Sequence, residues 1–220
     1  MIPLRFDRKP MTMNQQSPKT TGISLLIGSL LMFITMLLHP GAGGGLTEGY
    51  TFAIVSHGLA IFSVPFSLLG FWGLAQVLQE DAFLSRIALS IMIIGLFAAV
   101  MAASLNGLAM PMFALGMKPE WKELADPIFA YNRSLNHAFD YILITAMFIS
   151  TFLWSVSILR LKVLPTWLGY LGISLFVIGI TAIVAGFYVL DVGGFRTLIY
   201  GWAIWIVGVG FRLLEQRKVE

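Results

Sequence analysis

Six apolar stretches, each close to 20 residues and nearly free of charge, run through this chain of 220 residues. A helix of that length matches the roughly 30 Å hydrocarbon core of a bilayer. Composition agrees with this reading. Hydrophobic residues make up 58% of the chain and charged residues 11%, against about 25% charged in an ordinary soluble domain. A soluble globular chain and a disordered one are both excluded. Six spans use about 120 residues, which leaves short loops and one tail. The expected fold is all-α: a polytopic membrane bundle of six transmembrane helices with both termini cytoplasmic.

Three segments follow from this pattern. Residues 1–20 form a polar cytoplasmic tail with Arg5, Arg8, Lys9 and Lys19, in which Met11 and Met13 offer alternative starts. Residues 21–214 form the transmembrane domain, and 215–220 a second cytoplasmic tail. A basic stretch before an apolar run also describes a signal peptide. The segment His39-Pro40-Gly41-Ala42-Gly43 lacks an A-x-A cleavage pattern, however, so 22–39 reads as the first helix. The second covers 51–79 and contains Pro65. The third covers 84–110 and stops at Pro111. Asp126-Pro127 supplies an N-cap and a first-turn proline for the fourth. That helix would reach residue 160, roughly 50 Å in all, so its first turns project from the bilayer. The fifth covers 166–190 and the sixth 195–214.

With six spans, ten of the 14 basic residues fall on the side of the termini and four on the other. Positive loops stay in the cytoplasm. The expected location is therefore the cell inner (cytoplasmic) membrane, with the lipid bilayer as partner. The net charge of +3 marks orientation, and no basic face interleaved with aromatics points to nucleic acid. The chain has no cysteine, which excludes disulfides, iron–sulfur clusters and a thiol nucleophile. The outer loop 111–126 includes Lys118-Pro119-Glu120-Trp121-Lys122-Glu123-Leu124, expected as a short interfacial helix with Trp121 at headgroup level. Gly41, Gly43, Gly44 and Gly45 lack the Lys and Ser/Thr of a phosphate loop and read as a flexible turn.

Small residues mark close helix contacts in lipid. Gly95, Ala99, Ala103 and Gly107 recur every fourth position of the third helix. Gly172, Gly179 and Gly186 recur every seventh position of the fifth, and Gly201 and Gly208 do so in the sixth. The short loop between the fifth and sixth helices predicts a close antiparallel pair across these glycines. Pro65 predicts a kink.

The polar residues of the apolar region gather on one side. His39 ends the first helix, His57 begins the second, Asn106 lies near the end of the third, and His137 lies in the outer part of the fourth. All reach the outer edge of the hydrocarbon. Ionisable groups at such depth are rare and commonly functional. Arg133, Asn136, His137 and Asp140 are spaced by three and four and are expected on one helical face. Asp191, Arg196 and Tyr200 would close the ring. Three readings compete. In the first, His39, His57 and His137 bind zinc, and Asp140 either completes the set or acts as base on bound water, with Asn106 or Asn136 orienting water or oxyanion. This is a metal-dependent membrane hydrolase. In the second, His57 and His137 hold a b-type haem, with Gly58 leaving room for it. In the third, the polar groups only link helices by hydrogen bonds. No Ser–His–Asp set is evident around Ser134, and there is no H-E-x-x-H.

Pro165-Thr166-Trp167-Leu168-Gly169-Tyr170-Leu171-Gly172 resembles a stretch of uncharacterised bacterial six-helix integral-membrane proteins, a domain of unknown function, in which Trp-Leu-Gly opens a late helix from the cytoplasmic side. The resemblance covers about eight residues and implies a style of fold and no activity. Oligomeric state does not follow from the sequence.

Overall fold

Helix α1, Pro18–Leu38, starts where Ser17 accepts a hydrogen bond from the Thr20 amide and Pro18 takes the first turn, where no partner for a proline nitrogen is needed. The computed structural model describes residues 16–39, 49–185 and 192–216. α2 spans Gly49–Val77 and continues through Pro65. A 3-10 turn at Gln79–Asp81 leads into α3, Ala82–Ala103. α3 passes without a break into a π-helical segment, Ser104–Ala109, and then α4, Met110–Leu115. After a 3-10 turn at Pro119–Trp121, α5 runs for 40 residues, Lys122–Leu161. It ends at Lys162, whose positive φ of 56° turns the chain toward α6, Thr166–Val184. α7 covers Val192–Glu215. Among the described residues there is no strand.

Six helical stretches are long and apolar enough to cross a membrane: α1, α2, α3 with its continuation, α5, α6 and α7. They pack as a ring in chain order, with α7 closing against α1. One end is tied by Asp81, which accepts from Ser157 Oγ at 3.2 Å and pairs with Arg160 at 3.1 Å. At the same end the Gln16 amide donates to Gln76, and Gln216 donates to the Val163 carbonyl.

Unlike in a soluble bundle, apolar side chains cover the outside as well as fill the core. Phe83, Phe97, Ile178, Ile204 and Val184 point outward and are exposed, while Thr21, Ser56, Ser85, Ser150, Thr151 and Ser155 are buried. Small hydroxyl residues allow close approach and carry hydrogen bonds inside. Ser150 donates to the Ala88 carbonyl at 2.8 Å, tying α5 to α3. An aromatic column fills the centre. Trp154 of α5 stacks on Phe71 of α2 at 5.2 Å and on Trp205 of α7 at 6.4 Å, and Trp202 lies 5.7 Å from Phe71.

Several expectations change. The third helix does not stop at Pro111. A proline removes one amide donor and pushes on the carbonyl a turn earlier; the wider π turn just before it takes up that strain, and the helix continues. Asp126 is no cap: α5 begins one turn earlier, and Pro127 lies within it. The expected interfacial helix is the 3-10 turn running into α5, with Lys118 over the exposed Trp121 ring.

The glycine seams also sort differently. A Cβ on Gly179 would collide with Phe148 of α5 alone, so that glycine faces α5, whereas one on Gly172 would meet both Ser155 of α5 and Trp205 of α7. The seam of α7 does face α6: Gly208 abuts Leu168 and Trp167, and Gly201 touches Leu175. Gly186 lies outside the described residues. Gly95 of α3 meets Ala146 of α5, whereas Gly107 of the π segment meets His57 of α2. Two further close approaches carry no periodic signal. Gly22 of α1 faces the Gly210 carbonyl of α7, and Gly73 of α2 faces Thr21 of α1.

Candidate functional site

The end of the bundle opposite Asp81 collects the polar residues of five elements. His39 caps α1. Its ring centroid lies 4.9 Å from that of His57, inclined at 52°. Arg196, in the first turns of α7, donates from Nη2 to the His39 carbonyl. Three helices are thereby tied at one level.

His57 is held from two directions. Its Nδ1 lies 2.7 Å from the Ala53 carbonyl, one turn earlier, and 3.3 Å from Ser56 Oγ. The contact with a carbonyl places a proton on Nδ1 and leaves Nε2 as the nitrogen not engaged with α2. Gly107 of the π segment closes over the same ring with no space for a Cβ. The π turn thus has a local purpose: it brings a glycine against His57 and turns Asn106 toward α5. Asn106 Oδ1 accepts from Asn132 Nδ2 at 2.5 Å.

α5 contributes a stripe at four-residue spacing. Asn132 is buried, and Asn136 donates to Asp140 Oδ2 at 2.7 Å. His137, beside this stripe, has a buried Nδ1 with no hydrogen-bond partner. Buried polar atoms are nearly always paired, so an unpaired one calls for a reason. Arg196 Nε is a second such atom at this end.

The expected residues divide as follows. His39 and His57 come into contact. Asn136 and Asp140 form a pair. Asn106 joins neither and binds Asn132 instead. Arg133, expected on the inward face, is exposed, and the inward position belongs to Asn132. Ser134 is exposed and bonds the Ala130 carbonyl. Tyr200 packs on Phe33 of α1 at 4.9 Å, beside the ring and not closing it. Asp191 lies outside the described residues. Among the described residues no three His, Asp or Glu side chains stand close enough to hold a metal ion, so the zinc set of His39, His57, His137 and Asp140 is not assembled.

Asn132 and Arg196 were the contributors that sequence spacing left out or placed only at the margin. Asn132 precedes Asn136 by four and Asp140 by eight, and that period carries the signal for it. The bond of Arg196 to a backbone carbonyl 157 positions away leaves no trace in sequence. What the arrangement offers is a carboxyl group with one oxygen engaged, an uncommitted imidazole nitrogen one turn from it, and an imidazole on α2 fixed by its Nδ1 contact. Such groups accept and donate hydrogen bonds to a polar ligand. No family model, curated protein or solved structure matches this chain.

Proposed function

We propose that this chain is a six-span protein of the cytoplasmic membrane, with both termini in the cytoplasm and the polar end of the bundle at the extracytoplasmic edge. The outward apolar and inward polar side chains support insertion. The basic residues support the orientation. A reporter fused after Glu220 is expected to be active only in the cytoplasm. Activity in the extracytoplasmic space would reverse the orientation and place the site at the inner edge.

We propose further that the polar end binds a small polar molecule, or the polar head of an amphiphile, with His137 and Asp140 as the groups that meet it. The unpartnered, buried Nδ1 of His137 carries this reading. A cluster that existed only to join helices would satisfy its own atoms, as Asn106–Asn132 does. A site built for a ligand leaves donors or acceptors open at a cost in stability.

Thermal unfolding in detergent tests this, together with native mass spectrometry of the gently extracted protein. His137→Phe replaces an unpaired nitrogen by an apolar ring and is expected to hold or raise Tm while losing the co-purified small molecule. Asp140→Leu should lose it as well. If His137→Phe lowers Tm by several degrees, the imidazole is a structural tie and the binding reading falls. Elemental analysis and the Soret region of the same sample identify zinc or haem as the occupant, which would restore the metal-dependent hydrolase or the redox reading.

A further inference from the structure

We infer that the outer face of α3, at the end that the proposed topology makes cytoplasmic, seats one anionic phospholipid with its phosphate on Arg86. A shallow groove runs along this face, lined by Phe83, Arg86, Ile87, Ser90, Ile91 and Ile94. These positions form one stripe of the helix. From Arg86 to Ile94 the stripe rises about 12 Å at 1.5 Å per residue, most of the reach of one acyl chain across half of a roughly 30 Å core. The groove therefore takes most of one lipid tail, with a charge near its outer end.

The charge selects the headgroup. Arg160 is paired with Asp81, and Arg212 with Glu215. Arg86 is exposed and has no carboxylate partner among the described residues. Ser90 spends its hydroxyl proton on the Arg86 carbonyl at 3.0 Å, which leaves the guanidinium as the phosphate donor. Toward the bilayer centre from it, Ile87, Ile91 and the strongly exposed Ile94 offer only apolar contact, and Phe83 flanks it on the outer side. A guanidinium above an apolar channel matches a phosphate above a hydrocarbon tail. Anionic lipids are enriched in the cytoplasmic leaflet, where a basic side chain near the surface adds to their binding. The inference rests on the proposed membrane orientation and is independent of the site at His137.

The test is lipid titration by native mass spectrometry of the full chain in neutral detergent, with phosphatidylglycerol and phosphatidylcholine of identical chains. The wild type should bind one phosphatidylglycerol in preference to phosphatidylcholine. Arg86→Gln should weaken the first phosphatidylglycerol about five-fold, the factor one basic residue contributes near an anionic surface, and weaken phosphatidylcholine, whose choline offsets the phosphate charge, by less. Ile91→Trp, which fills the channel, should weaken both lipids. Arg212→Gln should change neither. An Arg86→Gln protein that binds phosphatidylglycerol as the wild type does would overturn the inference. So would an equal loss in Arg212→Gln, which would reveal general attraction and no seat. A wrong orientation shows separately in the Glu220 reporter, so the two failures are distinguishable.

Discussion

Gly107→Val should destabilise the bundle by about 3 kcal/mol, the upper part of the range for overpacking, read as a fall in Tm in detergent. The reason is local. A Cβ at position 107 overlaps the Cβ and Cγ of His57. Those atoms belong to the root of the side chain and move only with the α2 backbone. His57 is in turn fastened to the Ala53 carbonyl, so it cannot rotate aside without breaking that bond. The double variant Gly107→Ala with His57→Gly removes the obstructing atoms and should recover most of the loss seen in Gly107→Ala alone. Coupling of this kind is expected between residues in direct contact. Equal Tm values for the wild type and Gly107→Ala would show that the π segment does not press on α2.

Trp154→Ala is the second large effect, about 3–5 kcal/mol for a fully enclosed aromatic truncated to alanine. Trp154 is completely buried between Phe71 and Trp205, so its loss opens a void among three helices. Trp154→Phe should cost far less. The indole Nε1 is buried with no partner, and removing it also removes an unmet donor. The contrast with Trp202 makes the test specific. Trp202 Nε1 donates to Thr151 at 2.8 Å, so Trp202→Phe abandons a buried hydroxyl and should be the more damaging of the two phenylalanine variants. Unfolding curves of the three proteins in one detergent give the order; Trp154→Phe below Trp202→Phe would refute it.

How much of this was legible in the sequence depends on the range of the interaction concerned. The six helices were readable because hydrocarbon thickness sets a length, and each apolar run meets it without help from its neighbours. The grouping of His39, His57, Asn106 and Asp140 at one end followed from counting along alternating spans. Contacts between helices were not readable in this way. Gly179 announces a close approach but not the partner, and the neighbour is Phe148 of α5. Arg133 and Asn132 are adjacent in sequence, and a rotation of one residue decides which turns inward. Pro111 and Asp126 are sound local stop and start signals that tertiary packing overrides. The π turn absorbs the first, and an extra turn from Lys122 bypasses the second. The coming together of all three histidines was inferred from depth alone, and equal depth says nothing about bearing around the ring.

The long helix α5 has a mechanical consequence. Its 40 residues make a strut of about 60 Å. Its foot is pinned at Arg160 to Asp81, and less than two turns above that it is wedged by Trp154 in the aromatic column. Beside it, α3 and α4 form a second strut of similar reach, but this one has a joint, the π turn at Ser104–Ala109, set where Asn106 clasps Asn132. A stiff rod clasped to a jointed one behaves as a lever against a knee. A tilt of about 5° at the foot of a 60 Å rod carries its tip through about 5 Å, and bending is concentrated where a π turn interrupts the regular hydrogen-bond ladder. That joint is also the wall against which His57 rests. Bending at that joint therefore bears first on His57, which Gly107 already touches.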